Sequence, residues 1–224
     1  MNEIEAQHWL RDNFDVSRET WDRLEAFVAF LKREAGSQNL VAASTLDSIW
    51  SRHIVDSAQL VKLLPGEIPE DGQWIDLGSG AGFPGIVVAL LGNFHVTLVE
   101  SRARRIDYLQ RALALLALND RVTVAGMPLE RLETAPYSVI SARAFAPLPR
   151  LFELAARFST NNTFWLLPKG RNAAKEWDEV QTGWTGDFHI EPSVTDSEAG
   201  ILVGRLSARR GNITAPATKR LHKR

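Results

Sequence analysis

The spacing of apolar residues changes character near residue 70. Before it, Trp21, Leu24, Phe27, Val28 and Leu31 recur at helical intervals between Ser17, a residue suited to an N-cap, and Ala35. A second helical stretch covers about 45–64 and ends at Pro65-Gly66. After it, short apolar runs predict strands at 73–77, 95–100, 121–125, 137–141 and 163–168. Helical patterns follow four of these runs, at 84–91, 102–118, 147–158 and 171–181. Such βα alternation predicts a parallel sheet with helices on both faces. The runs Phe188 to Val194 and Ile201 to Leu206, separated by a polar turn at Asp196 to Gly200, read as a closing hairpin. The expected fold is therefore α/β, a doubly wound and mostly parallel seven-stranded sheet with an N-terminal helical extension. Its expected divisions are a helical cap over 1–70, a catalytic domain over 71–208 and a basic, flexible tail over 209–224.

The first strand runs straight into a glycine loop, Asp76-Leu-Gly78-Ser-Gly80-Ala-Gly82-Phe-Pro-Gly85. A strand that stops at a Gly-rich turn and restarts as a helix leaves backbone N–H groups free and lets the main chain approach a ligand closely. The loop parses in two ways. Gly80, Gly82 and Gly85 satisfy the dinucleotide spacing, with Glu100 twenty residues beyond Gly80 where a ribose carboxylate belongs. Read from Asp76, the same residues form D-x-G-x-G-x-G, the loop of S-adenosylmethionine-dependent methyltransferases. The second parse uses more residues. It also suits Pro84, which falls near the first helical turn, where its missing N–H costs nothing. A nicotinamide-dependent oxidoreductase remains the alternative under the first parse, although the chain leaves little room for a separate substrate domain.

Composition limits what else this chain does. Its 224 residues contain no cysteine, so neither a disulfide framework nor a thiolate metal site is available. The five histidines, His8, His53, His95, His189 and His222, are scattered without ligand spacing, and no metal is expected. No apolar run reaches membrane length, and the acidic start lacks the layout of a signal peptide, so a cytoplasmic protein is expected. Arg205 to Arg224 holds seven Lys or Arg and no acid, whereas the first 204 residues carry 19 basic against 27 acidic groups. A basic tail on an acidic body suits a polyanionic partner or a solvated terminus.

Further motifs make the resemblance specific. They are Asn39-Leu40, Arg52-His53-Ile54-Val55-Asp56-Ser57, Asp76 through Gly85, Glu100-Ser101 with the basic run to Arg105, Ser141 with Arg143-Ala-Phe-Ala146, and Lys169-Gly170. Together they resemble the RsmG (GidB) family of ribosomal RNA guanine-N7 methyltransferases from about Asn39 to Gly170. The resemblance implies a class I methyltransferase fold, S-adenosyl-L-methionine as cofactor, and guanosine 527 of 16S small-subunit ribosomal RNA as target, naked or within the subunit. It implies that Asp76, Gly78, Gly80, Gly82 and Phe83 line the cofactor, that Glu100 takes its ribose, that Leu129 and Glu130 flank its adenine, and that Arg143 reaches the site. Three positions depart from the family pattern: Val41 follows Leu40 where a small polar residue is usual, Glu100 replaces the commoner Asp, and Ala142 separates Ser141 from Arg143. The last departure predicts that Ser141 is displaced from the site.

The implied chemistry agrees with what the sequence lacks. Guanine N7 carries an in-plane lone pair, so methyl transfer needs orientation and charge management but no general base. Covalent methylation at pyrimidine C5 needs a cysteine nucleophile, which is missing. Exocyclic amine methylation usually carries an Asn/Asp-Pro-Pro-aromatic loop, where this chain has Ser141-Ala-Arg-Ala-Phe-Ala-Pro147. Arg52, His53, Phe145, Lys169 and Arg171 are the candidates for RNA contact, and Lys169 leads because it follows the carboxyl end of a strand. Arg102, Arg104 and Arg105, at a predicted helix start, and Lys175 are further candidates for phosphate contacts; for the Arg cluster a solvated face is the favoured reading, since cations there oppose the helix dipole. A small-molecule methyltransferase is the nearest competing function.

Overall fold

A computed structural model of the chain describes residues 1–210. The tail expected over 209–224 lies outside these residues except for Arg209, which ends the last strand, and Arg210.

Seven strands, β1 (Gln73–Leu77), β2 (His95–Val99), β3 (Val122–Ala125), β4 (Val139–Ala142), β5 (Phe164–Gly170), β6 (Trp184–Pro192) and β7 (Gly200–Arg209), form one sheet of order β3-β2-β1-β4-β5-β7-β6. The first five are mutually parallel, and β7 runs antiparallel to both β5 and β6. This is the predicted doubly wound sheet with its closing hairpin. The order reverses between β1 and β4, so the carboxyl ends of these two strands open onto the crevice where ligands bind in such folds.

Helices α1 (Glu3–Asn13), α2 (Arg18–Ala35), α3 (Asp56–Lys62), α4 (Gly85–Leu91), α5 (Ala103–Leu115), α6 (Leu148–Ala155) and α7 (Ala173–Val180) cover the two faces. Strand alternation divides the core between them. Trp74, Val96, Leu98, Val139 and Leu166 face α1 to α5, while Ile75, Leu77, Ile140, Trp165 and Leu167 face α6 and α7. The N-terminal helices thus share one continuous core with the sheet. Phe27 of α2 packs tilted against Phe83, with ring centroids 5.3 Å apart, and Phe30 stacks 5.2 Å from Tyr108 of α5.

Two local differences from the sequence reading have clear causes. Helix α1 was not predicted, yet Asn2 caps it and Glu5 returns the bond in a capping box, with only Ala6 and Leu10 fully buried. The helical stretch expected over 45–64 is three pieces: a 3-10 segment Ala43–Ser48, a π-helical segment Trp50–Val55, and α3. Glu3 explains the break. Its carboxylate accepts from the backbone N–H groups of Trp50 at 3.0 Å and Ser51 at 2.9 Å, amides that an unbroken helix would bond to its own preceding turn.

Among the described residues no helix is long and apolar enough to cross a membrane, and no three His, Cys, Asp or Glu side chains converge as metal ligands.

Candidate active site

The glycine loop leaves β1 with its backbone already in the left-handed region, at φ +69° for Gly78. A Cβ there would stand 2.6 Å from Phe145 Cδ2, so any larger residue at this position displaces the ring that covers the loop. Gly80 follows at φ +56°, and the strip of main chain between them lies bare along a cleft of about 410 Å³. Leu40, Val41, Ala42, Thr45, His53, Phe83, Arg102, Arg105, Arg143 and Ala144 complete the cleft lining.

Asp76 sits beneath this surface. Its carboxylate is fully buried, accepting from Ser141 Oγ at 2.8 Å and from the Gly85 N–H at 3.3 Å. Burial raises its pKa to about 6, against the opposing pull of bonds from Ser141, Ser79 and Gly85 and the charge of Arg143. The bonds tie the end of β1 to the start of α4 and hold the loop from below. Ser141 is the residue that Ala142 was expected to displace, and the structure shows where it goes. In parallel register with Asp76, its hydroxyl donates to that carboxylate and accepts from Trp74 Nε1 at 2.8 Å. It supports the loop from the layer below.

Glu100 ends up at the carboxyl end of β2, 5% exposed, as its spacing from the loop predicted. One oxygen accepts from the N–H groups of Ser101 at 2.8 Å and Arg102 at 3.0 Å, and the other lies 3.6 Å from Arg105. Arg105 in turn donates to the Asn39 carbonyl at 2.9 Å, joining Glu100 to the loop after α2. Leu129 and Glu130 lie on a 3-10 turn beyond β3. Leu129 is buried, Glu130 is exposed and pairs with Arg150 at 3.3 Å, and the structure does not bring either to the cleft lining.

The π-helical turn brings His53 inward and leaves Arg52 exposed. The His53 ring stacks 5.0 Å from Phe83, with Nε2 at 2.9 Å from Thr45 Oγ1 and Nδ1 at 3.1 Å from Arg143 Nη2. Burial first, then the charges of Arg143 and Arg52, lower its pKa to about 3, so the imidazole is neutral. Arg143 also donates to the Arg52 carbonyl at 3.2 Å and lies 3.6 Å from Asp56. Asp56 is itself held by Gln59 and Thr195 at 3.0 Å each. Arg143 therefore joins the end of β4 to α3, an architectural role that accounts for a guanidinium only 27% exposed.

On the far side of Arg143 and Ala144 lies a second cavity of about 630 Å³, also lined by Phe145, Lys169, Arg171 and Asp196. Phe145 is half-buried and covers Gly78. Lys169 turns inward: its side chain is 9% exposed, and its ammonium donates to the Ala146 carbonyl at 3.2 Å and stands 3.0 Å from Glu176, off line for a hydrogen bond but within ion-pair reach. Arg171 is exposed and pairs with Glu198 at 2.6 Å, and Arg52 pairs with Asp196 at 3.3 Å. Sequence reasoning missed Thr45, named Asn39 only as a motif residue, and weighed Arg105 as a phosphate contact rather than as a partner of Glu100; no periodicity marks a hydroxyl or a carbonyl as a partner of a distant side chain.

Known proteins agree with this architecture. Solved structures similar to it include a putative O-methyltransferase from Klebsiella pneumoniae, with a TM-score of 0.58, 16% identity, and coverage of 92% of this chain and 97% of that one. A putative S-adenosyl-L-methionine-dependent methyltransferase from Methanococcus maripaludis gives a TM-score of 0.54 at 13% identity, covering 80% of this chain and 91% of that one. At such identity these matches show the fold alone. Sequence relatives are much nearer. The ribosomal RNA small subunit methyltransferase G of Rhizorhabdus wittichii is 56% identical over 212 residues, 94% of this chain and 96% of the relative. That of Zymomonas mobilis is 48% identical over 208 residues, covering 91% and 93%. The GidB family profile, described as rRNA small subunit methyltransferase G, matches residues 20–201, and with that match the chain belongs to the GidB family of ribosomal RNA small subunit methyltransferases.

Proposed function

We propose that this protein transfers a methyl group from S-adenosyl-L-methionine to N7 of a guanosine in small-subunit ribosomal RNA, the position the family resemblance gives as guanosine 527. The observation that carries this reading is the meeting of two cavities at Arg143 and Ala144, one floored by the glycine loop and one opening beside β5. A cofactor in the first and a base in the second would meet at that shared edge.

The residues present fit such a cofactor. The loop residues Gly78 to Ala81 line the cleft and Phe83 supplies an apolar wall, while Gly82 and Glu100 are not in the lining. Glu100 would reach a ribose from the end of β2, beside Arg102 and Arg105, which are. Asp76 would act through the loop it braces. When bound, S-adenosylmethionine supplies a sulfonium methyl carbon, to which the N7 lone pair bonds as the carbon–sulfur bond breaks and its electron pair returns to sulfur. The chain's own task is to exclude water and hold the partners in line, which can supply about 7–11 kcal/mol of the barrier. Neutral His53 adds no positive charge beside a purine that is becoming cationic, and Arg143 has its charge partly matched by Asp56. No group needs to remove a proton.

The test is transfer of labelled methyl to small-subunit ribosomal RNA, supplied protein-free and as small subunits lacking the modification, with the modified base mapped. Incorporation as 7-methylguanosine at one position is expected. Cofactor binding without any incorporation would overturn the RNA reading and leave a small-molecule methyltransferase.

A further inference from the structure

A protein whose first 204 residues carry a net excess of acid must meet a polyanion through a surface where positive charge is not already matched. Around the two cavities, the cations divide sharply by side. Those near β5 are neutralised: Lys169 by Glu176, Arg171 by Glu198, and Lys175 at 3.9 Å from Glu179. At the start of α5, Arg105 meets Glu100 at 3.6 Å, but Arg102 and Arg104 are not matched. Among the described residues no carboxylate lies within 4.0 Å of Arg102 or Arg104, and both side chains are exposed. Glu34 and Asp107, which line a shared depression with Arg104, are taken by Arg111 at 2.6 Å and 2.9 Å.

These arginines line a groove of about 630 Å³ with Gly36, Ser37, Gln38 and Asn39, and none of its lining residues is acidic. Arg102 and Arg105 line the cofactor cleft as well, so groove and cleft lie side by side. Helix stability does not account for the cluster. Three arginines in or just before the first turn oppose the helix dipole, at a cost of about 0.3–1 kcal/mol each. The terminal amides of Ser101 and Arg102 are already held by Glu100, so the free groups are the side chains themselves. Beside Glu100 the expected ligand moiety is an uncharged adenosine; the cofactor's one carboxylate belongs to its methionine end, and Arg104 does not line the cleft that would hold it.

We infer that the groove between the 36–39 loop and the start of α5, with Arg102 and Arg104 at its rim, is where the phosphate backbone flanking the target nucleotide crosses the mouth of the cleft, rather than the β5 side. The inference rests on the RNA methyltransferase reading above. Arg104 tests it best, because it lines this groove without lining the cofactor cleft.

The experiment measures methyl transfer to whichever substrate form the wild-type protein modifies, at several salt concentrations, alongside S-adenosylmethionine affinity. Arg104→Gln is expected to raise the KM for RNA about 3- to 10-fold and to reduce the slope of log affinity against log salt by about 1, the signature of one lost phosphate contact. Arg104→Glu should raise KM further. Arg171→Gln should shift it by less than about 2-fold, and cofactor affinity should be unchanged in every variant. Wild-type KM and salt slope in both Arg104 variants would overturn this surface while leaving the enzyme's function standing. A larger loss in Arg171→Gln than in Arg104→Gln would move the backbone path to β5. A wild-type protein that binds cofactor and methylates no RNA would overturn the substrate reading and this surface with it.

Discussion

Arg143 Nη2 stands 3.1 Å from Nδ1 of His53, and this contact fixes the state of the imidazole. A guanidinium only donates, so Nδ1 must accept, and the ring proton of the neutral imidazole must sit on Nε2. From there it points at Thr45 Oγ1, 2.9 Å away, whose own proton is directed to the Ala42 carbonyl at 2.7 Å. One polarised chain thus runs from the wall between the two cavities, through the π-helical turn, to the loop that rims the cofactor cleft.

The tautomer is measurable. Nitrogen NMR of the labelled protein should show His53 neutral, with its proton on Nε2, from pH 5 to 8; an imidazolium signal in that range would refute the assignment. Replacing Thr45 with Val leaves the buried Nε2–H without an acceptor, which should destabilise the fold by about 1–3 kcal/mol. Arg143→Lys keeps the charge but cannot reach His53, Asp56 and the Arg52 carbonyl together. It should lower kcat more than it raises the KM for cofactor.

Two buried titrations pull stability in opposite directions with pH. His53 has a folded pKa of about 3 against an ordinary 6.5, so the unfolded chain binds more protons between these values and stability rises with pH there. Asp76 has a folded pKa of about 6 against 3.8, so the folded chain holds the extra proton and stability falls as pH rises from about 4 to 6. Urea unfolding at several pH values from 4.5 to 6 separates them. His53→Gln should shift the slope by about one proton toward falling stability, and Asp76→Asn by about one proton toward rising stability. Identical slopes in all three proteins would show that neither group is perturbed as its burial implies.

Most of the sheet was legible because its signals are local. A strand that ends in Asp76 and enters a glycine loop, or a Ser17 that caps a periodic helix, needs only neighbouring residues to be recognised. Helix α1 was readable in principle through Asn2 and Glu5, but its weak apolar face hid it. The break at Trp50 was not readable, because its cause is the Glu3 carboxylate reaching across 47 positions. The same limit applies within the site. Spacing placed Lys169 at the end of β5 correctly, yet only the folded chain shows Glu176 and the Ala146 carbonyl drawing its ammonium inward. The Arg102 and Arg104 pair was a candidate for phosphate contact that ranked below a solvated face for the converse reason: sequence shows a cation but not whether an acid stands opposite it.

Ser141 tests whether Asp76 acts through the loop. Its hydroxyl is the donor to Asp76 and the acceptor for Trp74 Nε1, so Ser141→Ala strands one indole N–H and removes one bond to a buried carboxylate. Denaturant unfolding should show a loss of about 2 kcal/mol or more. Cofactor affinity should fall with it although Ser141 does not line the cleft. A variant that is destabilised with unchanged cofactor affinity would confine Ser141 and Asp76 to a purely structural role.

Gly78 and Phe145 should be coupled. In Gly78→Ala the new methyl meets Phe145 Cδ2 at 2.6 Å and the backbone must hold φ +69°, which itself costs about 1–2 kcal/mol for a residue with a Cβ. Cofactor affinity should fall at least about 10-fold, equivalent to 1.4 kcal/mol or more. Removing the ring in Gly78→Ala/Phe145→Ala relieves the clash but not the backbone strain, so the double variant should recover part of the affinity and no more. The cycle needs Phe145→Ala alone as its fourth corner, with binding measured calorimetrically in all four proteins. Strict additivity would mean that Phe145 does not rest on the loop, and full recovery would mean that the left-handed turn at Gly78 imposes no constraint on the cofactor cleft.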